Sequence, residues 1–294
     1  MDRKVAMTVR YHLYREETMR FAKEAGFKYI CMGLGETDVF TYDDWEKRIG
    51  ALGEELAKYG LRAVDTHLPV YGLLESSDKR SEVTERSMLR CLKAAKMLGA
   101  DVCAYHPRTC YPTGNWEDGE DYERSHKDNV EALKRLAEEA EKQNVTVGVE
   151  NMPPLIVGGR SVFYSCFPEQ LNAMVDALGS KHVCALWDTG HAHLMPYDHA
   201  GAIKTVGSRI RATHIHESGG EFDAHNVPSV GTLDWEKVLT AFADIGYDGY
   251  LTLEASYRHG ALSDLYVRYL YETVCRLDDI LTRIKKEKQT GNGN

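Results

Sequence analysis

Six apolar runs in this chain end in the same way, and that repetition constrains the fold more than any other feature of the sequence. They are Val64-Asp65-Thr66-His67, Cys103-Ala104-Tyr105-His106, Val147-Gly148-Val149-Glu150, Ala185-Leu186-Trp187-Asp188, Ile210 to Glu217, and Leu251-Thr252-Leu253-Glu254. Each is short and apolar enough for a parallel strand buried on both faces. Each nevertheless closes on an acid or a histidine, groups that are costly to bury without partners. In the run through Arg211, Thr213 and Ile215, His214 and His216 share one face because strand side chains alternate. One such strand end is most simply a hydrogen-bonded pair of side chains. Six in series call for a place where strand ends meet.

Stretches with helical spacing separate the runs. Helices are expected over about Glu16–Ala25, Tyr42–Tyr59, Ser81–Leu98, Tyr122–Lys142, onward from Pro168, then Asp198–Val206, Asp234–Ile245 and Asp264–Ile284. With Val5–Val9 and Tyr29–Met32 added as strands, eight strands alternate with eight helices. That pattern predicts a parallel sheet closed on itself, a single (β/α)8 TIM barrel over residues 1–286, with residues 287–294 as a flexible C-terminal tail. An open doubly wound sheet is the competitor, but no G-x-G-x-x-G follows the first strand. The segments 107–121, 151–167 and 218–232 read as long loops over strand ends, where binding residues concentrate.

Composition removes several classes of function. The formal net charge of −9 repels polyanions, which weighs against nucleic acid as a partner. No long apolar segment suggests a signal peptide or a membrane span, so a cytoplasmic protein with no membrane partner is expected. Seven cysteines without a C-x-x-C pair argue against a disulfide framework or a cysteine zinc knuckle. A homo-oligomer is compatible with all of this.

In such a barrel the strands all run one way, so His67, His106, Glu150, Asp188, His214 and Glu254 converge on one mouth. Three carboxylates in a dry cleft repel one another unless they take up protons or hold a cation. Glu150, Asp188, His214 and Glu254 offer one nitrogen and three carboxylates, a set suited to Mn²⁺, Zn²⁺, Co²⁺ or Mg²⁺. Around them His67, His106, His225 and Glu217 are candidate substrate contacts. Arg108 is a cation beside the mouth that can meet a phosphate or carboxylate.

The segments Val147-Gly148-Val149-Glu150-Asn151-Met152, Trp187-Asp188-Thr189-Gly190-His191, Thr213-His214-Ile215-His216-Glu217 and Leu251-Thr252-Leu253-Glu254 resemble the xylose isomerase-like barrel superfamily, particularly its sugar epimerases and inosose isomerases. The resemblance spans nearly the whole chain. It implies that Glu150, Asp188, His214 and Glu254 bind one divalent metal, often manganese. It also implies that Glu150 and Glu254 are an acid/base pair and that His191 contacts a substrate oxygen. The implied activity is isomerisation or epimerisation of a sugar or polyol-derived ketone. A proton is moved beside a carbonyl through an enediolate, which a neighbouring cation stabilises.

One departure bears on the substrate. The well-studied ketose 3-epimerases carry an arginine shortly before a Val-Pro-Gly-x-Gly turn, whereas this chain has Asp223-Ala224-His225-Asn226-Val227-Pro228-Ser229-Val230-Gly231. That weighs against a free ketohexose. It also keeps open a zinc-dependent apurinic endonuclease. Such enzymes of this superfamily use three metals, held by residue types present here as His67, His106, Glu150, Asp188, His191, His214, Asp223, His225 and Glu254. The acidic charge argues against that alternative. A lyase on a keto-sugar derivative and a catalytically idle sugar-binding barrel are the remaining readings.

Overall fold

Burial on both faces is what the strand sequences require, and they obtain it by closing into a ring. The computed structural model describes residues 3–35, 38–69, 78–107, 120–154, 156–157, 160–161, 164–255 and 260–291. Eight strands form the ring: β1 (Val5–Arg10), β2 (Tyr29–Gly33), β3 (Arg62–His67), β4 (Val102–Tyr105), β5 (Thr146–Glu150), β8 (Val183–Asp188), β9 (Ile210–Ile215) and β10 (Leu251–Leu253). They pair in parallel in the order β1-β10-β9-β8-β5-β4-β3-β2, and the ring is closed. Every residue of β5 and β8 is buried, as a parallel strand covered on both faces demands. The fold is thus the single (β/α)8 barrel that the alternation predicts.

The outer layer is α1 (Glu16–Ala25), α2 (Trp45–Lys58), α3 (Asp78–Leu98), α4 (Glu120–Gln143), α5 (Pro168–Leu178), α7 (His199–Val206), α8 (Trp235–Asp244) and α9 (Ser263–Gly291). Their apolar faces and the outward faces of the strands make the main core, which includes Met7, Ile30, Val147, Val149, Phe242 and Val274. The last helix closes the ring by packing on both α1 and α8. Gly26 ends α1 at φ 114°, a left-handed cap that costs glycine little.

Three expectations need correcting. The second helix starts at Trp45 because Val39–Thr41 forms a separate 3-10 turn. The segment 151–167 is not all loop, since β6 (Ile156–Val157) and β7 (Arg160–Ser161) pair antiparallel within it. Residues 287–291, expected in a flexible tail, continue α9, whose side chains still reach back to the barrel through Lys288 Nζ, close to Asp244 Oδ1. Among the described residues no helix is long and apolar enough to cross a membrane. The described cysteines, Cys31, Cys91, Cys103, Cys166, Cys184 and Cys275, are free thiols.

Inside the ring, a small apolar layer of Ala104, Leu186 and Ala212 lies below the mouth, with Val102 packed against it. A Cβ on Gly148 would press on Val102 and Leu186, so this position admits little more than glycine. Because side chains alternate, the residue two further along each strand faces the same interior one layer higher. That step turns Ala104 into His106, Gly148 into Glu150, Leu186 into Asp188, Ala212 into His214 and Thr252 into Glu254.

Candidate metal centre and active site

One donor atom from each of Glu150, Asp188, His214 and Glu254 lies within 4.8 Å of the others. His214 Nδ1 faces two carboxylates, 3.2 Å from Glu150 Oε1 and 2.9 Å from Glu254 Oε2. Asp188 ends β8 and caps the short helix α6 (Thr189–His193), its Oδ1 accepting the His191 backbone N–H at 2.6 Å. Its other oxygen is 2.8 Å from His216 Nε2. Asn151 ties the ends of β5 and β8 together, accepting the Asp188 N–H at 2.7 Å and donating to the Asp188 carbonyl at 2.9 Å. A Cβ on Gly190 would overlap the His216 ring, which explains the glycine between Thr189 and His191.

Glu150 is fully buried, and its Oε2 accepts no hydrogen bond. His106 Nε2 at 3.1 Å and His67 Nε2 at 3.6 Å are close to that oxygen without a hydrogen-bonding geometry. A buried carboxylate oxygen left in this way, beside an imidazole and two further carboxylates, fits a divalent cation.

The remaining histidines form two flanks. On one, His67 Nδ1–H donates to the Leu68 carbonyl at 2.8 Å and its Nε2 meets His106 Nε2 at 3.0 Å. On the other, His191 Nδ1–H donates to the Asn151 carbonyl at 2.9 Å, and its Nε2 lies 3.4 Å from Asp223 Oδ2. His225 Nδ1–H donates to the Glu254 carbonyl at 2.8 Å, while its Nε2 lies 3.1 Å from Asp223 Oδ2. The long loop carrying Asp223 and His225 is closed by an antiparallel bridge between Glu217 and Asn226.

Protonation follows from this crowding. Burial disfavours a charged His191, but Asp188, Asp223 and Glu150 outweigh it and raise its pKa to about 10. His225 is raised to about 9, burial again being outweighed, here by Asp223 and Glu254. Burial pulls His106 down, whereas Glu150 holds the more deeply placed His67 up despite the same desolvation. For Glu150 and Glu254 burial favours the neutral acid, yet His214 and its histidine neighbours hold both well below the usual carboxylate range.

His67, His106, His191, His225 and Glu254 line a mouth cavity of about 190 Å³. Glu217 is placed differently from the expectation of a substrate contact. It is fully buried, and its two oxygens accept the Gly231 N–H at 2.6 Å and the Trp235 indole N–H at 2.8 Å, so it holds the loop. Arg108 lies outside the described residues. Sequence reasoning passed over Arg10, the last residue of β1, which lines the mouth, and gave no role to Asp65, Asn151 or His216. Their signals were adjacency to Glu150 for Asn151 and shared parity with His67 and His214 for Asp65 and His216.

Comparison with known proteins agrees with this geometry at the level of family. The profile of the family described as xylose isomerase-like TIM barrel matches residues 19–271. An uncharacterized protein of Methanocaldococcus jannaschii is 27% identical over 229 residues, 72% of this chain and 74% of the relative. The D-psicose 3-epimerase of Enterocloster bolteae is 29% identical over 125 residues, so the match covers 42% of this chain and 38% of that enzyme. Among solved structures, one described as a D-tagatose 3-epimerase-like protein superposes with a TM-score of 0.73 at 21% identity, covering 93% of this chain and 98% of the other. At that identity the likeness speaks for the fold.

Proposed function

The chain belongs to the xylose isomerase-like TIM barrel family, and on that premise we propose that it is a divalent-metal-dependent sugar isomerase or epimerase. Its substrate in this reading is a sugar or polyol-derived ketone, and Glu150 and Glu254 are its acid/base pair. The observation that carries the reading is the approach of Glu150 and Glu254 to the same nitrogen of His214, with Asp188 in the same cluster. Sugar 3-epimerases among the relatives support the reaction class.

Glu150, Asp188, His214 and Glu254 would hold the cation, with Mn²⁺ the proposed metal. When bound, it supplies Lewis-acid stabilisation of the negative charge that develops on substrate oxygens. Both glutamates are ionised at neutral pH, as groups that accept a carbon-bound proton must be. One removes the proton beside the carbonyl and later releases it to solvent, while the other, having first taken up a proton from solvent, delivers that proton to the opposite face for epimerisation or to the neighbouring carbon for isomerisation. His191 and His225 carry protons through neutral pH and donate to substrate oxygens, while His67, His106 and the mouth wall orient the sugar. Moved protons exchange with solvent, so incubating a panel of ketoses and inososes with the Mn²⁺-loaded protein in D₂O tests the reading. The expected product has the substrate's composition with one deuterium gained; a released leaving group, or no exchange with any polyhydroxylated carbonyl compound, overturns it.

A second reading has one specific observation in its favour. His67, His106 and Glu150 form one cluster of donor atoms and His191, His216, Asp223 and His225 form another, each with the 4.8 Å spacing of the central four. Three adjoining clusters suit a trinuclear zinc phosphodiesterase. The net charge of −9 opposes it, because holding a phosphate backbone needs basic surface. Elemental analysis separates the two: one metal per chain supports the isomerase, and three zinc ions with nicking of abasic DNA support the phosphodiesterase.

A further inference from the structure

The geometry points to Asp65 as the positioning residue of the metal centre, the group that fixes which nitrogen of His214 is offered to the cation. The inference rests on the metal-site reading above and concerns a residue that lies below that site. Asp65 is on β3, two residues before His67, and by alternation it belongs to the interior layer under the mouth. Strands β4, β5, β8 and β9 fill this layer with Ala104, Gly148, Leu186 and Ala212. A carboxylate in such a layer, only 3% exposed, is costly unless it holds something in place.

What it holds is His214. Asp65 Oδ2 lies 3.1 Å from His214 Nε2, while the opposite ring nitrogen, Nδ1, faces Glu150 and Glu254. An imidazole binds a metal through a nitrogen that carries no proton, so a ring offering Nδ1 to a cation keeps its proton on Nε2. There it donates to Asp65. The contact fixes the tautomer, stops the ring from turning about its long axis, and makes Nδ1 a stronger donor. Cys31, from β2, is the other group clustered with Asp65 and His214, and its neutral thiol is the weaker acceptor of the two. The second oxygen of Asp65 has no protein partner. Asp65 also lines a cavity of about 610 Å³ toward the N-terminal end of the barrel, together with Val64, Ala212 and Thr252.

The test measures binding of Mn²⁺ alone, by the electron paramagnetic resonance of free Mn²⁺, to wild-type protein and to Asp65→Asn, Asp65→Ala and Cys31→Ala, with melting temperature recorded for each. Outer-shell carboxylates of this kind change metal affinity by about 10- to 100-fold. The expected Kd increase is therefore about tenfold for Asp65→Asn, which keeps an acceptor oxygen but not the charge, and about 100-fold for Asp65→Ala. Cys31→Ala, at the same depth in the barrel, should leave the Kd within about twofold while lowering the melting temperature like any small core deletion. If Asp65→Ala does not fold, the isosteric Asp65→Asn carries the test. A Kd for Asp65→Asn within about twofold of wild type, or an equal weakening by Cys31→Ala, overturns the positioning role and leaves the metal centre standing. Failure of the wild-type protein to bind Mn²⁺ overturns both.

Discussion

The two ends of the barrel are built from the same eight strands and solve opposite problems. At the C-terminal mouth, buried acids and histidines crowd together and several polar atoms, including Glu150 Oε2, His216 Nδ1 and Asp223 Oδ1, have no hydrogen-bond partner. At the N-terminal end charged side chains sit at the rim and are satisfied locally: Arg62 donates to the Gly99 carbonyl at 2.7 Å and Arg211 to the Lys181 carbonyl at 2.7 Å. Yet the cavity at that end, about 610 Å³, is the roomier one, against about 190 Å³ at the mouth. Empty volume therefore does not mark where the proposed chemistry lies. A gathering of buried side chains able to hold a metal does.

The contrast is broken most directly by removing charge at the mouth. Glu150→Gln and Glu254→Gln should each lower kcat by about 10²- to 10⁴-fold, the usual worth of a positioned acid or base, while circular dichroism stays native. Undiminished turnover in either variant would remove that glutamate from the acid/base pair. Chelation is the next largest lever. A cation present at 100 times its Kd stabilises the folded chain by about 2.7 kcal/mol, so its removal should lower the melting temperature by several degrees as well as stop turnover. An unchanged melting curve after exhaustive chelation would mean that the cluster holds no metal in the purified protein.

The same cluster sets a pH dependence whose sign follows from the raised histidines. His191 and His225, with values of about 10 and about 9, lie above their ordinary value of about 6.5. Their contribution to folding is complete below pH about 6.5 and is lost as pH rises through 9 to 10. Asp223 is depressed, against the effect of its own burial, by His191 and His225, so its contribution is lost only in strong acid. The melting temperature of the chelated protein should accordingly fall between pH 6.5 and pH 10. Over that interval Mn²⁺ should bind more tightly, because protons held by the cluster must leave first. A flat melting profile with flat Mn²⁺ affinity would contradict the protonation scheme.

Much of the barrel was legible because its signals are periodic. Alternating apolar runs and helical stretches are local properties, and the rule that strand ends converge supplies the rest, which is how Glu150, Asp188, His214 and Glu254 could be grouped from the sequence. What could not be read depends on where a side chain turns after its strand ends. Glu217 follows His216 directly and looks like another mouth group, but it leaves the strand axis and is taken up by the Gly231 N–H and the Trp235 indole. Asp65 was hidden for the opposite reason: in sequence it is one polar residue within a strand, and only closure of the ring brings it under His214. Glu217→Ala leaves two buried donors unpaired at a cost of about 1–3 kcal/mol, and because the loop holding Asp223 and His225 loosens, KM should rise more than kcat falls.

The smallest expected effect is the sharpest test of how separate the two ends are. Arg211 is exposed on β9, three residues before His214, and joins neighbouring strands through the Lys181 carbonyl and, at 3.4 Å, Thr146 Oγ1. Arg211→Ala removes one exposed and one long, part-buried hydrogen bond, so stability should change by about 0.5–1 kcal/mol, with kcat and Mn²⁺ affinity within about twofold of wild type. Arg211 also borders the N-terminal cavity that Asp65 lines. A loss of Mn²⁺ affinity in this variant would mean that a disturbance at the rim travels through that cavity and Asp65 to His214. The two ends would then be one electrostatic unit, and the rear cavity part of the metal centre.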